Sequence, residues 1–186
     1  MHRIAVIDTE TTWADQVMSI GIVVADATSY KPLDHRYYTI SPYKNYGGMY
    51  SHALYVDSIL PDLEASEQEV MSEIREYLLS HKIERMFAYN AAFDYRHLPS
   101  LQYLTWYDIM KLAAYRQFNP EIPCHADCYR TGRLKCGYGV ENIYRMLSGN
   151  RRYCERHNAL TDALEELEIM RMLRHDLEVY EAARIP

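Results

Sequence analysis

Ile4-Ala5-Val6-Ile7 is a continuous apolar run near the start of the chain, the pattern of a strand buried on both faces. Residues 18–27, opening Met18-Ser19-Ile20-Gly21-Ile22-Val23-Val24-Ala25, repeat it. A third β-prone stretch, Arg36-Tyr37-Tyr38-Thr39-Ile40, stops at Ser41-Pro42. Consecutive strands with short breaks predict an antiparallel meander. Ser66 followed by Glu69 is a capping-box pattern, and behind it Val70, Met71, Ile74, Tyr77 and Leu78 share one helical face. Met86-Phe87-Ala88-Tyr89 predicts a fourth strand, leading into Asn90-Ala91-Ala92-Phe93-Asp94 and a helix that Pro99 ends. A fifth strand is expected near Tyr103–Trp106. Val140, Ile143, Tyr144 and Leu147 predict a short helix with Gly149 at its C-terminal cap. The last helix is expected from Ala159 to about Ala182, with a stripe of Leu160, Ala163, Leu164, Leu167, Met170, Leu173 and Leu177. Asn119 to Gly139, rich in Pro, Gly and Cys, is the one long irregular connection, and loops of that length are usually functional. This order predicts an α/β fold with a mixed five-stranded sheet covered by helices.

Composition narrows the class. The 186 residues, 48% apolar and 25% charged, suit one buried core, read as a single domain over 1–186. No apolar run of about 18 residues predicts a membrane span. Met1-His2-Arg3 leads directly into the first strand rather than a signal peptide, so a cytoplasmic protein is expected. Cys124, His125, Cys128 and Cys136 could be drawn as a zinc site, but paired C-x-x-C knuckles are missing. Reduced, buried or incidental thiols, including Cys154, are the expected state. The net charge of −6 argues against coating nucleic acid by bulk electrostatics. It does not exclude gripping one strand end through cations. Between Tyr129 and Arg156 the balance reverses: seven basic residues (Arg130, Arg133, Lys135, Arg145, Arg151, Arg152, Arg156) face only Glu141 and Glu155. That segment fits a phosphate-facing patch or a solvated loop equally well. The 18 tyrosines could stack bases but more often finish cores and strand faces.

Three segments carry candidate chemistry. Asp8 and Glu10 are two apart at the end of a buried strand, so both leave the same face with Cα atoms about 6.6 Å apart. Neighbouring carboxylates repel and are costly to desolvate, but they suit hard, oxygen-seeking cations such as Mg²⁺ or Mn²⁺. Asn90 and Asp94 would share a helical face, with Asn90 equally an N-cap. Phe93 fits the core or the edge of a terminal base, the core being favoured. In Arg156-His157-Asn158-Ala159-Leu160-Thr161-Asp162, Asn158 is an expected N-cap. Asp162 then falls in the first turns of the last helix, and His157 on the loop before it. A mobile, partly exposed histidine near its ordinary pKa of about 6.5 suits a general base.

Taken together, Asp8-Thr9-Glu10-Thr11-Thr12, Ala88-Tyr89-Asn90-Ala91-Ala92-Phe93-Asp94 and His157-Asn158-Ala159-Leu160-Thr161-Asp162-Ala163 closely resemble the DEDDh exonucleases of the RNase H-like superfold. The three motifs run from residue 8 to residue 163. The resemblance implies a three-layer fold and 3′→5′ hydrolysis of single-stranded DNA or RNA with release of 5′-mononucleotides. It implies two Mg²⁺ or Mn²⁺ ions held by Asp8, Glu10, Asp94 and Asp162. Asp8 would bridge both ions, Glu10 and Asp162 would complete one site, and Asp94 would support the other through water. His157 would be the general base. A sister class has tyrosine four residues before the last aspartate, where this chain has Asn158. Thr9, Thr11, Thr12, Trp13, Asn90 and Phe93 are the residues expected at the substrate. Trp13 stands where family members commonly have glycine, and residues 124–136 lie outside the family pattern.

The implied partner is a nucleic-acid 3′ end, DNA ahead of RNA, with no membrane. A polymerase or a second copy of the chain is a further candidate. The rival readings are an RNA-trimming enzyme or oligoribonuclease, a non-catalytic module that binds nucleic acid or a polymerase, and a zinc-stabilised interaction domain.

Overall fold

The computed structural model describes residues 2–186; Met1, the first residue of the expected opening segment, lies outside them. Strands β1 (Arg3–Thr11), β2 (Val17–Asp26) and β3 (Pro32–Ile40) form the expected antiparallel meander. β5 (Arg85–Ala88) then pairs parallel to β1, and β6 (Thr105–Asp108) parallel to β5. Counting the edge strand β4 (Leu63–Ala65), the sheet has six strands among the described residues, not five, in the order β4-β3-β2-β1-β5-β6. The additional β4 has three residues and runs alongside β3, too short to show an alternating pattern.

Strand alternation divides the core into two layers. Ile4 and Val6 of β1 point into one layer, shared with helix α5 (Ala159–Leu173) and α4 (Val140–Ser148). Ala5 and Ile7 point into the other, against α1 (Glu67–Ser80). The Ser66–Glu69 capping box closes the start of α1. Gly149 ends α4 in the left-handed conformation, at φ +70°, where glycine carries no Cβ penalty. Two short helices complete the outer layers: α2 (Ala92–His97), which ends before Pro99 as expected, and the unforeseen α3 (Met110–Ala113).

The last helix is shorter than its apolar stripe suggested. It stops at Leu173, Arg174 turns left-handed, and Leu177–Ala183 continue as a 3₁₀ segment that buries Tyr180 and Ala183. β6 begins two residues after the expected Tyr103. Among the described residues no helix is long and apolar enough to cross a membrane.

Candidate active site

The continued alternation of β1 sends Asp8 and Glu10 toward α5, and sends Thr9 toward α2. Asp8 is paired across the sheet with Gly21 of β2, and Glu10 with Ser19. A Cβ on Gly21 would lie 2.2 Å from the Ala159 carbonyl atoms. Only glycine therefore lets the first turn of α5 rest directly on the sheet beside Asp8. Asn158 caps that turn as expected: its Oδ1 accepts from the Leu160 and Thr161 amides (3.1 and 3.4 Å). Its buried Nδ2 donates to the Ala53 and Leu54 carbonyls and the Tyr37 hydroxyl. Asp162, buried in the first turn of α5, is thereby placed with Asp8 and Glu10, so that one oxygen from each lies within 4.8 Å of the others.

Asp94 reaches the same cleft from the other side, held by the Thr9 hydroxyl, which donates to its Oδ1 at 2.7 Å. The cleft is about 560 Å³. All the sequence-derived candidates line it: Asp8, Glu10, Asp94, Asp162 and His157, with Thr9, Thr11, Thr12, Trp13, Asn90 and Phe93. Several stand differently from expectation. Asn90 is not on the helix with Asp94 and is not its N-cap. It precedes α2 at φ +57° and donates its amide to Asp108 Oδ1 at 3.0 Å. Phe93 belongs to neither core layer; it is half-buried on the cleft wall, tilted against His97. Thr12 is buried, and its hydroxyl accepts from the Ala14 and Gln16 amides, which shapes a turn. Trp13 is 73% exposed at the rim.

His157 lies on the loop before α5, but it is not loosely held. Its ring stacks on Tyr50 at 3.9 Å and 13°, and its backbone is left-handed at φ +55°. Partial burial lowers its pKa below the ordinary histidine value. Together with Glu155 and Asp162 it forms a second group of donors within 4.8 Å of one another.

The pattern did not single out Tyr50, Glu155, Glu166 or Asp108. Glu155 was visible two residues before His157, and Glu166 one helical turn after Asp162. Glu166 is wholly buried and accepts the Tyr89 amide at 3.0 Å. Tyr50, from a loop without periodicity, left no signal.

This much buried negative charge dominates the electrostatics. Burial, reinforced by Glu166, Asp94, Asp162 and Glu10, drives the Asp8 carboxyl well above the carboxylate range. Burial also pushes Glu10 to about 9, Asp162 to about 8 and Asp94 to about 7. One buried Asp8 oxygen, Oδ2, has no hydrogen-bond partner among the described residues. An all-oxygen donor set with an orphaned carboxylate oxygen fits a hard divalent cation.

Cys124, His125, Cys128 and Cys136, by contrast, do not come together among the described residues as three donors within 4.8 Å. All four cysteines are free thiols; Cys124, Cys136 and Cys154 are exposed and Cys128 half-buried, so none is a buried core thiol. Within the basic segment, Arg145 pairs with Glu141 and Arg156 with Asp57.

No family model and no curated protein matches the sequence. Solved structures do match the fold. The nuclease domain of 3′hExo, a DEDDh family member bound to rAMP, has a TM-score of 0.66 at 14% identity, over 99% of this chain and 96% of that one. Exonuclease X in complex with 5′-overhanging duplex DNA has 0.55 at 20% identity, over 91% and 90%. The zinc-bound E. coli exonuclease I–single-stranded DNA complex has 0.61 at 12% identity, over 98% of this chain but 42% of that one. The chain has the fold of the DEDDh 3′-exonucleases.

Proposed function

We propose that this chain is a divalent-metal-dependent 3′→5′ exonuclease of the DEDDh type, acting on single-stranded DNA, with RNA as the alternative substrate. The observation that carries the reading is convergence. Three segments separated by 86 and 68 residues deliver Asp8, Glu10, Asp94 and Asp162 to one cleft, with His157 on its wall. Buried carboxylates that repel one another are costly to keep without a function that uses them.

In this reading Asp8, Glu10, Asp94 and Asp162 hold two Mg²⁺ or Mn²⁺ ions. The ions would lower the pKa of the attacking water and offset charge on the attacking and leaving oxygens. His157 takes the proton from the water as its oxygen bonds to phosphorus. The bond from phosphorus to the 3′-oxygen of the preceding nucleotide breaks, that oxygen takes a proton from solvent to become the new 3′-hydroxyl, and a 5′-mononucleotide leaves. The stack on Tyr50 fixes the imidazole plane, and the lowered pKa keeps the ring neutral near pH 7, as a base must be. The nearby charge of Glu141 favours the imidazolium that forms. Trp13 and Phe93 offer rings to the terminal nucleotide from the rim and wall of the cleft.

The test is incubation with 5′-labelled single-stranded DNA and RNA in Mg²⁺, Mn²⁺ or EDTA, beside Asp8→Ala and His157→Ala. Shortening from the 3′ end, abolished by EDTA and by both substitutions, is expected, and the faster strand identifies the substrate. Intact oligonucleotides under every condition would refute the reading.

A further inference from the structure

Residues 127–135 lie outside the three motifs, and within the long irregular connection they fold into a small hairpin. The Tyr129 amide donates to the Arg133 carbonyl at 2.8 Å, Lys135 to Asp127 at 3.0 Å, and Gly132 to Tyr129 at 2.9 Å across the turn. Gly132 turns the chain at φ +88°, where a side chain would be strained. The hairpin is anchored. Leu134 is buried in the α5-side core and donates its amide to Ala114, while Arg116 donates its own to the Gly132 carbonyl.

Because Leu134 points inward, Arg133 and Lys135 on either side of it point outward. The Arg133 guanidinium lies 5.1 Å from the ring centres of both Tyr129 and Tyr138. Both rings are exposed, as is Arg130 at the turn. Among the described residues Arg130 and Arg133 form no salt bridge, whereas Lys135 pairs with Asp127. The surface is continuous with the cleft. The Tyr89 hydroxyl donates to the Tyr138 carbonyl, and the next two residues, Gly139 and Val140, line the cleft with Tyr89.

We propose that this hairpin is a platform for single-stranded nucleic acid upstream of the 3′ end, with Tyr129 and Tyr138 stacking on bases and Arg130 and Arg133 meeting phosphates. The proposal rests on the exonuclease reading of the adjoining cleft. The chemistry favours a single strand over other polyanions. Exposed aromatic faces beside cations suit unstacked bases, whereas a purely anionic partner would use the charges and leave the rings idle. An unneutralised pair of arginines on a chain of net charge −6 also gives the strand a local direction of approach.

The test compares the whole chain with Tyr129→Ala, Tyr138→Ala and Arg130→Ser/Arg133→Ser, with thermal melts to confirm folding. Fluorescence anisotropy in Ca²⁺ would follow a labelled DNA of roughly 12 nucleotides. Each tyrosine substitution is expected to weaken binding about tenfold. The double arginine substitution should flatten the slope of log K against log salt by about 1.4, at roughly 0.7 per phosphate contact. In Mg²⁺, KM for the same oligonucleotide should rise while kcat and the hydrolysis of a dinucleotide stay unchanged. Unchanged affinity and salt slope in folded variants would overturn the platform, even if the wild-type chain degrades DNA. Loss of binding only in the arginine variant, with polyglutamate competing as well as DNA, would overturn it in favour of a general anion surface. If the wild-type chain binds the strand through these residues but releases no mononucleotide, the platform stands and the exonuclease reading fails.

Discussion

Gly21→Ala tests the link between fold and site most directly. Gly21 touches none of the proposed reactants, yet its added methyl would sit 2.2 Å from Ala159 C and O and 2.3 Å from Leu160 N. All three are backbone atoms, so no rotamer change relieves the contact. Ordinary contact begins at 3.4 Å, so the first turn of α5 must retreat by about 1.2 Å. It cannot pivot freely, because the Asn158 side chain is tied to Ala53, Leu54 and Tyr37. Overpacking of this kind costs about 1–3 kcal/mol, or roughly 2–12 °C in Tm for a chain of this size. The larger effect falls on the site. Asp162 and His157 move with the turn while Asp8 and Glu10 stay on β1, and a displacement of about 1 Å costs on the order of 100-fold in rate. Initial rates on a labelled oligonucleotide at saturating Mg²⁺, with thermal melts and Mn²⁺ calorimetry, would measure rate, stability and metal affinity. We expect a kcat about 100-fold lower, weaker Mn²⁺ binding and a KM close to wild type. A variant with lowered Tm but wild-type kcat and Mn²⁺ affinity would refute the claim that Gly21 sets the position of α5.

Other expectations follow from the same geometry. Without metal, Asp94, Asp162 and Glu10 carry pKa values raised to about 7, 8 and 9. Raised carboxyls stabilise the fold below their unfolded values near 4 and lose that contribution as pH climbs through 7 to 9. The Tm gained on adding Mg²⁺ should therefore be larger near pH 9 than near pH 6, where protons compete for the same oxygens; a pH-independent gain would count against a carboxylate metal site. Asn158→Ala removes a cap and leaves the Ala53 carbonyl without its donor, while the Leu54 carbonyl keeps the Tyr37 hydroxyl. It should cost about 2 kcal/mol or more by denaturant unfolding and lower kcat through His157, and a neutral result would show that the cap positions nothing. At saturating metal, the acidic limb of kcat should lie below pH 6.5, since burial lowers the His157 pKa. A limb above that value would assign it to another group.

The motif residues were legible because each is set by local rules. Strand alternation places Asp8 and Glu10 on one face, and a capping asparagine places Asp162 within one turn. What brings those segments together was not legible. Gly21 reads as one small residue in an apolar strand, and only the register opposite Asp8 gives it meaning. Tyr50 lies in a loop, and its contact with His157 spans more than a hundred residues of sequence. Asn90 misled because its spacing from Asp94 matches a helix, whereas its left-handed backbone places it outside one. The final helix was overextended because Leu177 continues its stripe, although the left-handed turn at Arg174 breaks it.

Two buried carboxylates outside the Asp8–Glu10–Asp162 group explain how the Asp94 arm is held. Glu166 accepts the amide of Tyr89 and Asp108 that of Asn90, both at 3.0 Å. Consecutive amides at the end of β5 are thus gripped from α5 on one side and β6 on the other. The left-handed step at Asn90, which turns the chain into α2 and toward Asp94, is held by those two bonds rather than by a helix cap. The holding groups are themselves acidic, and Glu166 adds to the repulsion on Asp8. A neutral acceptor would grip the amide equally well without that repulsion. The cost of a further buried carboxyl is met by keeping its proton, as the strongly raised Glu166 pKa allows, or by bound cations that offset its charge. In this site the same cations would serve both the fold and the chemistry.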